Sequence, residues 1–122
     1  MKTILVVDDS RIMRNIVKNT FSDLQIPCNY LEAENGKKAL EAVQNNKVDL
    51  IFLDWNMPEM NGIEFLEKVR AMPEYAELPI IMVTSEAAKY HVVEALQAGA
   101  TDYIVKPVQE KIFKEKVMEL NF

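Results

Sequence analysis

Five stretches of strand length and apolar character recur along the chain: TILVV at 3–7, CNYLEA at 28–33, LIFL at 50–53, IIMV at 80–83 and DYIV at 102–105. Most are near-continuous apolar runs, the pattern of strands buried on both faces, and CNYLEA is the weakest. Between them the period changes to that of an amphipathic helix. Ile12, Met13, Ile16, Val17, Phe21 and Leu24 share one helical face, as do Leu40 with Val43, and Ile63 with Leu66 and Val69. Val92, Val93 and Leu96 continue the pattern, and Ile112, Phe113, Val117 and Leu120 close it. Ser10, Asn35, Asn61 and Ser85 stand where N-caps are needed, and Gly99 follows the fourth helix as a terminator.

Strict alternation of strand and helix predicts an α/β fold, a five-stranded parallel sheet with helices on both faces and right-handed crossovers. The strand order 2-1-3-4-5 is taken by analogy with flavodoxin-like doubly wound sheets. With 122 residues, 49% hydrophobic and 27% charged, the chain suits one domain with a substantial core. No linker or repeat divides it, so residues 1–122 are expected to form a single domain with no output domain. The apolar runs ILVV and LIFL are far too short to span a membrane, and Asp8 and Asp9 stop the first before it could serve as a secretory signal. A cytoplasmic location without membrane insertion is therefore expected. The net charge of −5 offers no broad face for phosphates, so direct nucleic-acid binding is not expected. Cys28, the single cysteine, reads as a small core filler near a strand start.

In an open α/β sheet, ligands bind beyond the carboxyl ends of the strands where the winding reverses, here between the first and third. Those ends, with those of the fourth and fifth strands, carry Asp8 and Asp9, Asp54, Thr84 and Lys106. Asp54 is the sharpest of them: in VDLIFLDWNMPEMNG, residues 48–62, it closes a buried run, where a carboxylate loses hydration. Pro58, Asn61 and Gly62 can make the following turn without it. Three carboxylates so close raise one another's pKa unless a cation sits among them. Oxygen ligands without His or Cys select a hard ion, and Mg²⁺, which keeps waters and accepts a phosphate, suits the set better than a calcium cage.

Lys106 has the wrong sign for a metal ligand and the right sign to meet an anion beside the metal. Asp54 is then a candidate nucleophile toward a phosphoryl group, giving an aspartyl-phosphate, with Thr84 donating its hydroxyl to a phosphoryl oxygen. Each residue also has an ordinary use: Asp9 or Ser10 as a helix cap, Thr84 as a strand-end hydroxyl, Lys106 as a surface lysine, Tyr103 as a strand aromatic. Their coincidence at one crevice favours chemistry. His91, alone on the fourth helix, is assigned no role.

The motifs VVDDS, LDWNMPEMNG, VTSE and DYIVKP together resemble the receiver domain of bacterial two-component signalling, over the whole chain. The resemblance implies a signalling phosphoacceptor that catalyses only its own phosphorylation and dephosphorylation. A histidine kinase would supply the phosphoryl group to Asp54, and a phosphatase is a further possible partner. Mg²⁺ would be held by Asp9, Asp54 and the backbone carbonyl of Asn56, with Asp8 assisting through water. The Lys106–Pro107 bond would be cis. Asn56 and Glu86 would flank the line of water attack and set the rate of dephosphorylation. A phosphoryl group would draw Thr84 inward, Tyr103 would enter the space vacated, and the face of the fourth helix, fifth strand and fifth helix would be reshaped. Ala87, Lys89, Val92, Tyr103 and Lys116 match that partner surface.

Within the family, Trp55, Asn56 and Glu86 resemble the stand-alone chemotaxis regulators that bind the flagellar motor switch protein, whereas Ser10 and Val108 each replace a phenylalanine of that group. A phosphorelay intermediate or phosphate sink, serving a histidine phosphotransfer domain, is the rival. A phosphatase of the haloacid dehalogenase type wants an acid where this chain has Ser10. A flavin phosphate would meet two aspartates after the first strand, and 3 glycines leave no P-loop cradle.

Overall fold

A computed structural model describes all residues, 1–122. The elements run β1 (Lys2–Val7), α1 (Arg11–Ser22), β2 (Cys28–Ala33), α2 (Gly36–Asn45), β3 (Leu50–Leu53) and α3 (Gly62–Arg70). After a 3₁₀ turn at Pro73–Tyr75 come β4 (Ile80–Thr84), α4 (Lys89–Ala98), β5 (Asp102–Val105) and α5 (Glu110–Glu119). The strands are all parallel in the order β2-β1-β3-β4-β5, as the alternation and the analogy predict.

Side chains alternate between the two faces of each strand, and the core divides accordingly. Leu5, Val7, Ile51, Leu53, Ile80 and Met82 meet Ala39, Val43, Phe65, Leu66, Val69 and Ala95 of α2, α3 and α4. On the opposite face Ile4, Val6, Leu50, Phe52, Ile81, Val83 and Ile104 meet Val17 and Phe21 of α1 and Phe113 and Val117 of α5. Phe52 stacks on Phe113 with ring centroids 4.9 Å apart, and Phe21 sets its edge to both rings. Cys28 packs at the margin of this second cluster, near the start of its strand.

Ser10, Asn35 and Asn61 cap their helices by accepting from the backbone N–H groups of Met13, Lys38 and Glu64, and Glu64 completes a capping box. Gly99 ends α4 in the left-handed region at φ 113°. Ser85 is not the cap expected of it. Helix α4 begins only at Lys89, after Ala88, which offers no capping side chain. The backbone at Glu86 is instead tied outside the helix, donating to the Thr84 hydroxyl and accepting from Tyr103.

The helical faces are also narrower than their apolar spacing suggests: Ile12, Ile16, Val93, Leu96 and Ile112 are exposed. Each helix presents to the sheet only the stripe around its most deeply buried residues, such as Val17 and Phe21 in α1.

The register between β1 and β3 places the site. Ile4 pairs with Leu50 and Val7 with Leu53, so the next residues, Asp8 and Asp54, emerge together at the carboxyl edge. The Asp54 N–H donates to the Val7 carbonyl at 2.9 Å. Helix α3 starts hard against this edge, and a Cβ on Gly62 would lie 2.2 Å from the Asp54 backbone oxygen. Gly62→Ala should therefore force the Asp54 segment to move and cost ~3 kcal/mol, at the upper end of overpacking penalties. Urea denaturation reads this cost, and an unchanged midpoint would show that the loop yields freely.

Candidate functional site

The carboxyl ends of β1 and β3 bring Asp8, Asp9 and Asp54 together, with one carboxylate oxygen of each lying within 4.8 Å of the others. Asp8 and Asp54 are buried, whereas Asp9 is exposed at the rim. Lys106, carried in by β5, sets its ammonium 2.9 Å from Asp8 Oδ2 and 3.6 Å from Asp54 Oδ1. Asp8 Oδ1 accepts from the Ser10 N–H at 2.8 Å, and Asp54 Oδ1 accepts from the Trp55 N–H at 2.8 Å. The Lys106–Pro107 bond is cis.

Burial pushes the Asp54 carboxyl up to about 6, with the charge of Asp8 adding to the effect and Lys106 and the Trp55 N–H opposing it. One ammonium does not offset three crowded carboxylates. The donor set is entirely oxygen and opens at Asp9, a fit for a hard divalent cation such as Mg²⁺.

Around this cluster the remaining polar residues converge on Glu86. Its N–H donates to the Thr84 hydroxyl at 3.3 Å, and Thr84 itself is fully buried. Its carbonyl accepts from the Tyr103 hydroxyl at 2.5 Å, and its Oε1 accepts from Asn56 Nδ2 at 3.0 Å. Tyr103 is already buried here, its phenol pushed up to about 12 by burial and by the nearby charges of Glu86 and Asp54. The Glu86 carbonyl and the core hold the Tyr103 ring inward.

The partner-surface residues differ in exposure. Ala87 and Lys89 are exposed, but Val92 packs against the core and Lys116 pairs with Asp102 at 3.0 Å.

Two residues went unassigned in the sequence. Arg14, one turn into α1, donates from Nη1 to the Asp8 backbone carbonyl at 2.6 Å while its Nε holds Glu32. His91 lies with its ring 5.0 Å from that of Trp55 and Nδ1 3.5 Å from Glu86 Oε2. Arg14 with Glu32 and His91 with Trp55 are distant in the chain, and the sequence carried no local signal for either residue's place at the site.

The response regulator receiver domain model matches residues 4–118. The chain belongs to the response regulator receiver family. A chemotaxis protein CheY homolog of Campylobacter jejuni is 48% identical to this receiver domain over 118 residues, covering 96% of this chain and 90% of the relative. Chemotaxis protein CheY1 of Helicobacter pylori strain J99 is 49% identical over 115 residues, covering 93% of this chain and 92% of its own. Among solved structures, Vibrio cholerae chemotaxis protein CheY4 superposes on the receiver domain with a TM-score of 0.87 at 34% identity, covering 98% of each chain. No helix is long and apolar enough to cross a membrane.

The raised Asp54 value has a thermodynamic sign. The unfolded carboxyl titrates near 3.8 and the folded one near 6, so between these values the native state holds a proton that the unfolded chain has released. Stability from this group is present at low pH and lost as pH rises through that window. In EDTA, Asp54→Asn should thus stabilise the receiver by on the order of 2–3 kcal/mol at pH 7.5 and by little at pH 4. Mg²⁺ should narrow the gap at neutral pH. Urea titrations at the two pH values check this, and a pH-independent difference would contradict it.

Proposed function

We propose that Asp54 is the phosphoacceptor of a response regulator that receives its phosphoryl group from a histidine kinase and passes the signal on by protein contact. The supporting observation is the placement of Asp54, buried at the end of β3, beside Asp8 and Asp9 and 3.6 Å from the Lys106 ammonium. In the transfer, an Asp54 carboxylate oxygen forms a bond to phosphorus as the P–N bond to the kinase histidine breaks.

Asp9, Asp54 and the Asn56 carbonyl would hold Mg²⁺, with Asp8 assisting through water, and the ion neutralises charge among carboxylates and phosphoryl oxygens when bound. Lys106 supplies fixed positive charge on the other side, and Thr84 offers its hydroxyl to a phosphoryl oxygen. Drawing Thr84 inward would pull on the Glu86 N–H that it now accepts, and so on the carbonyl to which Tyr103 is bound. This Thr84–Glu86–Tyr103 linkage carries the switch, with Tyr103 seated in the space beside Thr84. It reshapes the α4–β5–α5 face that carries Ala87, Lys89, Val92 and Lys116.

The output is regulation of chemotaxis in the cytoplasm through a flagellar motor switch protein. Support comes from the similarity to chemotaxis proteins over nearly the whole chain and from Trp55, Asn56 and Glu86. Beryllofluoride, standing in for the phosphoryl group, should tighten binding of a motor-switch N-terminal peptide, as read by fluorescence anisotropy. No peptide binding, together with rapid phosphoryl exchange with a histidine phosphotransfer domain, would favour a relay instead. Lys106→Ala should leave phosphorylation partly intact while removing the activation-dependent gain in peptide binding.

A further inference from the structure

Behind the mouth of the acidic site lies a polar chain that runs outward from the loop after β3. Asn56 Nδ2 donates to Glu86 Oε1 at 3.0 Å, which links the loop after β3 to the loop after β4 across the site. The other carboxylate oxygen, Oε2, faces His91 Nδ1 at 3.5 Å. That nitrogen is buried and has no hydrogen-bond partner, although the imidazole as a whole is about a quarter exposed, at 23%. An imidazole nitrogen left unbonded in a buried position is costly, and the shortfall from a good hydrogen bond is about half an ångström. The ring cannot swing freely to another partner: Trp55 presses edge-to-face at 84° and 5.0 Å, and Tyr90 lies against it at 4.3 Å. The Trp55 indole is itself packed in the core, while its backbone N–H holds Asp54 Oδ1.

We infer that His91 is a positioning residue for loss of the phosphoryl group: with Nδ1 facing Oε2 at 3.5 Å, it confines the Glu86 carboxylate and so keeps Oε1 on Asn56, fixing the polar pair that orients the attacking water. The inference rests on the reading of Asp54 as phosphoacceptor. In the hydrolysis, the water oxygen forms a bond to phosphorus and the P–O bond to Asp54 breaks with its electron pair left on the carboxylate. One water proton stays on the phosphate and the other passes to solvent. His91 touches none of these atoms. It reduces the freedom of Glu86, a flexible side chain that is one-third exposed, at 34%, and would otherwise sample several rotamers at the rim.

The test is the decay of acyl phosphate after labelling with acetyl phosphate and Mg²⁺, followed in wild type, His91→Leu, His91→Gln, Glu86→Ala and the double variant. His91→Leu should decay roughly three- to tenfold more slowly, the scale of lost positioning by an outer partner. His91→Gln, which keeps a donor, should stay within about twofold of wild type, and in the Glu86→Ala background His91→Leu should change nothing further. A merely structural role for the ring would instead slow both backgrounds alike. His91→Met, which fills the same slot against Trp55, replaces His91→Leu if that variant does not fold. A readout without metal or phosphate is the Asn56 side-chain amide in NMR spectra, whose protons should move toward their free positions in His91→Leu. Decay at the wild-type rate with unmoved amide protons, or an equal slowing in the Glu86→Ala background, would overturn the role of His91. A wild-type chain that forms no acyl phosphate would instead bring down the phosphoacceptor reading and this inference with it.

Discussion

Pairing β1 with β3 in register delivers Asp8 and Asp54 side by side at the carboxyl edge of the sheet, and the surrounding architecture is arranged around that concentration of negative charge. Neither buried carboxylate can relax into solvent, and the apolar strands that carry them are anchored in two hydrophobic clusters. Lys106 lies within reach of both but makes its closer contact with Asp8, leaving Asp54 with its proton affinity raised. The site thus stores electrostatic strain in the folded chain, of a kind that a hard cation would relieve. A fold that placed the same residues on separate surface loops would gain no such response.

Glu86 connects the surroundings of the acidic site to more distant parts of the molecule. Its backbone joins Thr84 on one side and Tyr103 on the other, while its carboxylate reaches Asn56 and faces His91. One residue therefore touches the end of β4, the middle of β5, the loop beyond Asp54 and the first turn of α4. Helix α4 lacks a side-chain cap at its N-terminus, and its first bonds are those of the His91 and Val92 N–H groups to the Ala88 carbonyl. The exposed Tyr90, Val93 and Leu96 on the same helix place an apolar surface directly downstream of this linkage.

The strands were legible in the sequence because burial on both faces leaves near-continuous apolar runs, and Ser10, Asn35 and Asn61 were legible because capping is local chemistry. The strand order came from analogy, since alternation alone does not specify it. Spacing identified the buried face of each helix but not its width, which depends on how each helix sits over the sheet; hence Ile12, Ile16 and Ile112 were overcounted. The start of α4 was misread at Ser85 because the backbone there answers to Thr84 and Tyr103, the latter 17 residues further along the chain than its partner Glu86. The acidic cluster could be inferred from strand ends alone. The contacts of Arg14 with Asp8 and of His91 with Trp55 and Glu86 could not, because they depend on how α1 and α4 dock on those ends.

In the proposed function, the crowded edge of β1 and β3 makes one carboxylate, that of Asp54, the group that takes the phosphoryl. Borohydride reduction of the acyl phosphate formed with Mg²⁺ and a small phosphodonor converts the modified aspartate to homoserine, which peptide mass spectrometry locates. Conversion confined to position 54, and dependent on Mg²⁺, is the predicted result. Conversion at Asp8, Asp9 or any other carboxylate, or Mg²⁺-independent conversion, would contradict it.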